Sequence, residues 1–82
     1  MQTETQTPDT RPGPYYVSAV DGTKKFIMAG PYAQHADALA DVERARQIAD
    51  KADGRAWFMA WGTCRIEGST LVGTMNKLGL IN

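Results

Sequence analysis

The stretch from Arg55 to Ile66 constrains the fold most, because it concentrates the largest apolar side chains of the chain. It contains both tryptophans, one of the two phenylalanines and the single cysteine. It is too short to cross a membrane as a helix, which takes about 20 apolar residues. Its aromatic content, and Gly54 immediately before it, favour a buried strand over residues 55–66. The element that covers this strand must then complete the core.

The first fourteen residues contain no large apolar residue after Met1. They are mostly Thr, Gln, Pro and charged residues, and such a segment buries too little surface to offset its ordering entropy. We therefore predict a disordered tail over residues 1–14 and a single folded domain over residues 15–82. A domain of that length buries only about 60% of the surface that its unfolded chain exposes, which favours stabilisation by a partner, most simply a second copy.

The charges of the chain balance, with nine Lys and Arg against nine Asp and Glu. A neutral chain lacks the basic excess that is typical of nucleic-acid-binding proteins and of proteins on anionic membranes. The sequence does not open with a basic segment followed by an apolar one, so no secretory signal is predicted. A single cysteine is typical of a reducing compartment. We therefore expect a cytoplasmic protein that does not bind a membrane.

Asp21-Gly22 is a strong hairpin signal between two predicted strands, residues 15–20 and 25–30. A two-residue turn at Asp21-Gly22 and a four-residue turn through Lys24 give different registers but the same division into two faces. The predicted core face carries Tyr15, Val17, Phe26 and Met28. The predicted outer face carries Tyr16, Ser18, Val20, Lys25 and Ile27.

A helix is predicted from Gln34 to Ala52, after Gly30-Pro31 ends the second strand. Small apolar residues recur at spacings of four and three and form one stripe, made of Ala38, Val42, Ala45, Ala49 and Ala52. Alanines let a helix lie close to a sheet, so the large apolar side chains of the core must come from the sheet. Alternate residues of the third strand can supply them, namely Trp57, Met59 and Trp61.

The element order ββαβ places the third strand beside the first. The second and third strands run in the same direction, because the helix returns the chain between them, and this predicts an antiparallel sheet of order 2-1-3. Residues 74–79 add a short C-terminal helical turn, and Leu78, Leu80 and Ile81 are predicted to fold back onto an open edge of the core. The predicted fold class is α+β, with the helix on one sheet face and water or a partner on the other.

Several motifs are distributed over the predicted hairpin, helix and third strand. They are Tyr15-Tyr16-Val17-Ser18, Asp21-Gly22, Lys24, Ala29-Gly30-Pro31-Tyr32, His35-Ala36-Asp37-Ala38-Leu39 and Trp61-Gly62-Thr63-Cys64-Arg65. In these motifs the chain resembles a group of short uncharacterised proteins encoded by bacteriophages and prophages of proteobacteria. The resemblance covers about residues 15–66. It implies a phage-associated origin and the cytoplasm of a bacterial host, and it implies no activity.

A strand that ends in Gly30-Pro31-Tyr32 and is followed by the Ala-rich segment 36–40 gives a weaker resemblance to the sporulation-related (SPOR) repeat, which binds peptidoglycan glycans. It covers half of that domain, and that family works outside the cytoplasm. The small three-stranded DNA-binding domains at the N-terminus of phage integrases are also similar. Their helix comes last, however, and their surface is basic.

Few residues offer catalytic or metal-binding chemistry. His35 has carboxylates at i+2 and i+6 that do not converge on one helix face, and structural zinc takes four ligands, so we expect an exposed first-turn histidine. Cys64 would need a base within reach, and His35 is predicted to lie across the domain. We therefore predict no catalytic, cofactor or metal residue, no small-molecule substrate and no enzymatic activity.

The expected function is that of a non-enzymatic protein-interaction module, which binds a host or phage protein or a second copy of itself through the outer sheet face. A contiguous apolar patch with exposed aromatic residues is typical of an interface. The residues predicted to form it are Tyr16, Val20, Lys25, Ile27 and Phe58. The alternative is a nucleic-acid-binding domain that uses the same face, where aromatic side chains stack on bases.

Overall fold

The structure, a computed structural model, describes residues 9–81 apart from the side chains of Arg55 and Trp57. The elements are strand β1 (Tyr15–Asp21), strand β2 (Lys24–Tyr32), helix α1 (His35–Ala52), a 3₁₀ helix (Gly54–Phe58), strand β3 (Ala60–Arg65) and helix α2 (Thr74–Lys77). The three strands form an antiparallel sheet in the order β2-β1-β3. The predicted α+β class, strand order and short C-terminal helical turn are confirmed.

The hairpin of β1 and β2 turns at Gly22-Thr23, where Asp21 pairs with Lys24. Within the turn Gly22 alone has a positive φ, of 63°. This matches a type II′ turn, which takes glycine at its first central position. The two-residue turn at Asp21-Gly22 is therefore wrong, because it would place Asp21 at that position. Val20 pairs with Lys25, and this is the register of the predicted four-residue turn through Lys24.

α1 packs against the sheet through small side chains. Ala38, Ala45 and Ala49 are buried, whereas Ala52, at the last turn, is exposed. The buried cluster consists of Val17, Ala29, Ala45, Ala49, Ala56, Met75 and Ile81, and Met28, Tyr32, Val42, Ile48 and Trp61 pack against it. The predicted alanine stripe is thus largely confirmed. The large side chains that pack against these alanines come from all three strands and from α2, not from the third strand alone.

The predicted strand over residues 55–66 is wrong in its first half, since Gly54–Phe58 is a 3₁₀ helix. Its main-chain groups are paired locally, because the Ala56 N–H donates to the Asp53 carbonyl at 2.9 Å and the Met59 N–H to the Ala56 carbonyl at 3.2 Å. A short apolar run does not by itself distinguish a strand from a helical turn. The prediction that Trp57 packs in the core lies outside the described side chains.

Residues 66–81 wrap around the sheet, and we call them the C-terminal strap. The strap leaves β3 and crosses the face opposite α1, where the Tyr16 hydroxyl lies 2.9 Å from both the Ser69 hydroxyl and the Leu71 carbonyl oxygen. Farther along, Met75 and Ile81 are buried on the α1 side. The prediction that the face opposite the helix is open is therefore wrong at β1, where Tyr16 is 0% exposed.

Residues 9–14 lie against the domain, although the sequence pattern predicted them to belong to the tail. The Gly13 N–H donates to the Ala33 carbonyl at 3.2 Å, and the Ile66 N–H donates to the Pro14 carbonyl at 3.2 Å. The described residues 9–14 of the predicted tail therefore pack against the folded domain. The remainder of the predicted tail, residues 1–8, lies outside the described residues. Among the residues that the structure describes, no helix has the length and apolar character required to cross a membrane.

Candidate functional site

The sequence pattern predicted one interaction surface made of Tyr16, Val20, Lys25, Ile27 and Phe58. In the structure these five residues do not form a single exposed surface. Tyr16 is buried beneath the C-terminal strap, so it does not contact a partner in this fold. Phe58 is 87% exposed but belongs to the 3₁₀ helix rather than to a strand. Val20 and Ile27 are half-buried and Lys25 is exposed. An interaction role for these last four residues stays a prediction.

A closed ring of hydrogen bonds fixes the strap to the sheet. A carbonyl oxygen only accepts, so the Tyr16 hydroxyl donates to the Leu71 carbonyl and the Ser69 hydroxyl donates to Tyr16. The Leu71 N–H in turn donates to the Ser69 hydroxyl oxygen at 3.0 Å. Each polar atom in the ring has a partner, which a buried tyrosine hydroxyl requires.

A cavity of about 280 Å³ with an apolar lining is open to solvent. It lies between the C-terminal end of α1, strand β2 and helix α2, and we call it the apolar groove. Its lining residues are Phe26, Met28, Ile48, Ala49, Ala52, Asp53, Ala56, Met59, Trp61, Thr74, Met75, Leu78 and Leu80.

The groove exists because small residues of the chain meet there. Ala49, Ala52 and Ala56 line one wall and leave space that larger side chains would fill. Trp61, which also lines the groove, is held in place because its Nε1 donates to the Ala56 carbonyl at 2.9 Å. Met75, at 3% exposure, forms part of the floor. The groove is therefore a built feature of the fold, between packed elements.

Two leucines at the rim of the groove are held outward. Leu78 is 67% exposed and Leu80 is 50% exposed, whereas Ile81 is 3% exposed. The chain reverses at Gly79, whose φ of 76° is the left-handed conformation that glycine adopts without penalty. The Leu80 N–H donates to the Met75 carbonyl at 2.8 Å, which fixes this reversal. The prediction that all three residues fold back onto the core is therefore wrong for the two leucines.

Polar groups contribute little to the groove. Asp53 and Thr74 are the polar residues among the described ones that line it. The Thr74 hydroxyl already donates to the Ile27 carbonyl at 3.3 Å. Binding in the groove must therefore rely on apolar contact, and a partner has to bring apolar groups to it.

His35 is buried, at 7% exposure, and the prediction of an exposed first-turn histidine is wrong. Its Nδ1 accepts a hydrogen bond from the Asp9 N–H at 2.7 Å, so the ring hydrogen is on Nε2, which donates to the Thr63 hydroxyl at 2.8 Å. The ring also stacks on Tyr15, with centroids 5.0 Å apart. Both nitrogens are engaged, and His35 joins the N-terminal segment to α1 and β3.

The prediction that His35 lies across the domain from Cys64 is also wrong, because His35 contacts the preceding residue, Thr63. Thr63 pairs with Val17 on the α1 side of the sheet, whereas Cys64 pairs with Tyr16 on the other side. The sheet therefore separates the imidazole from the thiol. Among the described residues no group of three or more His, Cys, Asp or Glu side chains is placed to hold a metal ion.

Two ionisable groups have pKa values that the structure displaces. Hydrogen bonds from the side chain and main-chain N–H of Arg11 hold the pKa of the Asp9 carboxyl below its usual range. Burial raises the pKa of Tyr32, and its hydrogen bond to the Asp41 carboxylate, at 2.8 Å, raises it further. Both interactions fix local geometry.

No protein-family model, curated protein or solved structure matches this chain. The resemblances to phage proteins and to the SPOR repeat therefore stay predictions.

The free edge of β3 is a second candidate surface. In an antiparallel pair, alternate residues direct both main-chain groups at the neighbouring strand. Ile66 does so, since its N–H donates to the Pro14 carbonyl at 3.2 Å. By alternation along the same register, Trp61, Thr63 and Arg65 direct their main-chain groups away from β1. Among residues 9–81, no main-chain hydrogen bond reaches this edge.

Sequence reasoning missed both surfaces. The groove depends on where the strap ends, and the alanines that form its wall were interpreted only as a close helix–sheet contact. The signal that could have indicated it was Leu78-Gly79-Leu80, in which a glycine between two leucines allows a reversal that exposes them. The open edge of β3 follows from the predicted strand order 2-1-3, which makes the third strand an edge.

Proposed function

We propose that this chain is a non-enzymatic protein-interaction module that binds an apolar segment of another protein in the apolar groove. One observation carries the proposal: a cavity of about 280 Å³ with an almost entirely apolar lining lies open to solvent beside Leu78 and Leu80. Exposed apolar surface gathered in one place marks interaction sites, whereas isolated exposed residues do not.

A protein segment suits the groove better than a small molecule does. Small-molecule sites usually bury 70–90% of the ligand within pockets of about 300–1,000 Å³. This cavity is slightly smaller than that range and is open, and its apolar surface continues over Phe26, Leu78 and Leu80. A partner that inserts one or two large side chains, and lays its apolar flank on the leucines, would cover both parts.

The proposal keeps the predicted class of function and changes its surface, because Tyr16 is buried. A phage or prophage origin, and a host or phage protein in the bacterial cytoplasm as the partner, belong to the proposal and are supported by the resemblance alone. No feature of the described residues favours the nucleic-acid alternative. The formal charges of the chain balance and the lining of the groove is apolar.

Selection of displayed random peptides on the immobilised chain tests this proposal and does not require the natural partner. The selected peptides are then measured against Leu78→Lys and Leu80→Lys. Leu71→Lys is the matched control, because Leu71 is 51% exposed but does not line the groove. Circular dichroism confirms that each variant is folded before its affinity is compared.

We expect peptides with large apolar residues, and at least a tenfold loss of affinity in the two groove variants, equivalent to about 1.4 kcal/mol. Affinity for Leu71→Lys should equal that for the parent chain. Equal binding to all three variants would place the site elsewhere. A low-salt gel shift with single-stranded DNA that Leu78→Lys does not alter, together with no selected peptide, would favour the nucleic-acid alternative.

A further inference from the structure

The chain covers the two edges of its sheet differently. At the free edge of β2, the Gly73 N–H donates to the Gly30 carbonyl at 3.0 Å, and the Gly30 N–H donates to the Asn76 side chain at 3.0 Å. At the free edge of β3, three residues direct main-chain donors and acceptors outward without a main-chain partner among the described residues. An open edge of this kind is a template for pairing with another strand.

The sequence of β3 gives little protection against such pairing. Proteins commonly protect a free edge with charged residues, proline or a bulge. Residues 60–64 read Ala-Trp-Gly-Thr-Cys and contain none of these residue types, and Arg65, the last residue of β3, is its one charged side chain. The β1–β3 register continues without a bulge from Tyr15–Arg65 to Val20–Ala60. A side chain added at Gly62 would meet nothing within 4 Å, so the face of β3 opposite α1 is uncovered at this position.

We propose that β3 pairs in antiparallel fashion with β3 of a second copy of this chain, about a two-fold axis at Thr63. The two three-stranded sheets then form one continuous sheet across the interface. In this register Thr63 lies opposite the partner's Thr63, and Trp61 lies opposite the partner's Arg65. The inference does not depend on the proposed function, because the edge contributes its main chain rather than the lining of the groove.

The second copy is favoured as the occupant because the edge is complementary to itself. The outward positions 61, 63 and 65 are symmetric about residue 63, so all three form hydrogen-bonded pairs, with up to about six main-chain bonds. Trp61 and Arg65 lie on the same sheet face, so the pairing brings a guanidinium beside an indole at two places. Nine positive and nine negative residues leave no net charge to repel a second copy.

The proposed register can be mapped with one engineered cysteine. Gly62 lies opposite the partner's Cys64 at a non-hydrogen-bonded pair, where Cα atoms are about 4.5 Å apart, within disulfide range. Gly62→Cys should therefore form a covalent dimer with oxidised glutathione, which accepts the two electrons as two thiols are joined. In one chain, residues 62 and 64 are two positions apart on a strand, too far to bridge.

Two variants serve as register controls. Gly62→Cys combined with Cys64→Ser should not cross-link, and neither should Ala60→Cys, which lies opposite the partner's Ile66. Disulfide dimers from both controls would indicate an axis at residue 62 and would overturn the register. The parent chain is also measured by light scattering over a concentration series, which needs no substitution.

We expect the mass of the parent chain to rise to twice that of the monomer as concentration increases. A monomeric mass at every concentration, with no disulfide dimer from Gly62→Cys, would overturn self-pairing. The peptide-binding result for the groove would be unaffected, so the two proposals fail separately. A dimer by light scattering with no cross-link from Gly62→Cys, in a variant that is folded by circular dichroism, would place the dimer interface away from β3.

Discussion

The Tyr16 hydroxyl donates a hydrogen bond to the main-chain carbonyl of Leu71, 55 positions later in the chain, at a distance of 2.9 Å. Tyr16 is on the first strand and Leu71 on the strap, so this bond closes the sheet face opposite α1 with the chain's own residues. A three-stranded sheet with one helix would otherwise leave that face of β1 to water. The contact explains why both faces of the central strand are buried.

Replacement of Tyr16 by phenylalanine should lower the free energy of unfolding by about 1–2 kcal/mol. The ring still fills its site, but the Leu71 carbonyl and the Ser69 hydroxyl lose their buried partner. Urea denaturation measures the difference, with Tyr32→Phe as a control for loss of a hydroxyl at a half-buried site. A Tyr16→Phe protein as stable as the parent, with unchanged hydrogen exchange at Leu71, would mean that the strap does not depend on this bond.

Gly73→Ala should detach the strap from the edge of β2. A Cβ at Gly73 would lie 2.4 Å from the Ala29 Cα, and main-chain atoms of a strand cannot move aside as a flexible side chain can. We expect a loss of about 3 kcal/mol or more, at the upper end for overpacking. Gly62→Ala is the matched control, because its Cβ would meet nothing within 4 Å. Equal thermal unfolding midpoints for the two variants would contradict the close contact.

Deletion of residues 1–14 should lower the thermal midpoint, whereas deletion of residues 1–8 leaves the described contacts intact. The longer deletion removes the Asp9 N–H from His35, the Arg11 carbonyl from the Tyr15 hydroxyl and the Pro12 carbonyl from Arg65. Each kcal/mol lost lowers the midpoint of a domain of this size by roughly 4–8 °C. Identical midpoints for the two deletions would show that these contacts contribute nothing to stability.

The Tyr32 hydroxyl should make stability depend on pH in the alkaline range. Burial, and then the bond to the Asp41 carboxylate, raise its pKa above the ordinary value of 10.0. The unfolded chain then loses this proton at a lower pH than the folded chain does. The stability that neutral Tyr32 confers is therefore fully present below about pH 10 and is lost as the pH rises through the folded pKa.

The difference in unfolding free energy between the parent chain and Tyr32→Phe isolates this effect, since other alkaline titrations cancel. The difference should be constant from about pH 8 to pH 9.5 and should shrink at higher pH. A titration followed by near-ultraviolet absorbance should show one fewer tyrosine that ionises at high pH in Tyr32→Phe than in the parent chain. A difference that stays constant up to about pH 12 would indicate that Tyr32 is not perturbed in the folded chain.

The sequence was sufficient for the fold class because the hairpin, the amphipathic helix and the third strand each have a local pattern. The alternation of Tyr15 and Val17, and the Ala38, Ala45 and Ala49 spacing, placed the same residues on the core that the structure does. The strand order followed from the direction in which a helix returns the chain. These are properties that a short window of residues determines.

The strap and the surfaces that depend on it could not be predicted in this way. Residues 66–73 have no hydrophobic period, and the contacts of Ser69 and Gly73 lie more than 40 positions away in the chain. Tyr16 was therefore assigned to an exposed face, and His35 to an exposed helix start. Both are polar aromatic residues whose burial depends on partners from distant segments, and the sequence around each of them contains no sign of those partners.

The strap also covers surface that would favour aggregation if the strap were released. Release of residues 66–81 would uncover Tyr16 and the edge of β2 at Gly30, and would withdraw Met75 and Ile81 from the core. Native proteins open locally in cooperative units, and such a unit here would expose the edge of β2 and an apolar face together, in addition to the edge of β3 that is already open. Opening of the strap alone would therefore expose aggregation-prone surface without global unfolding.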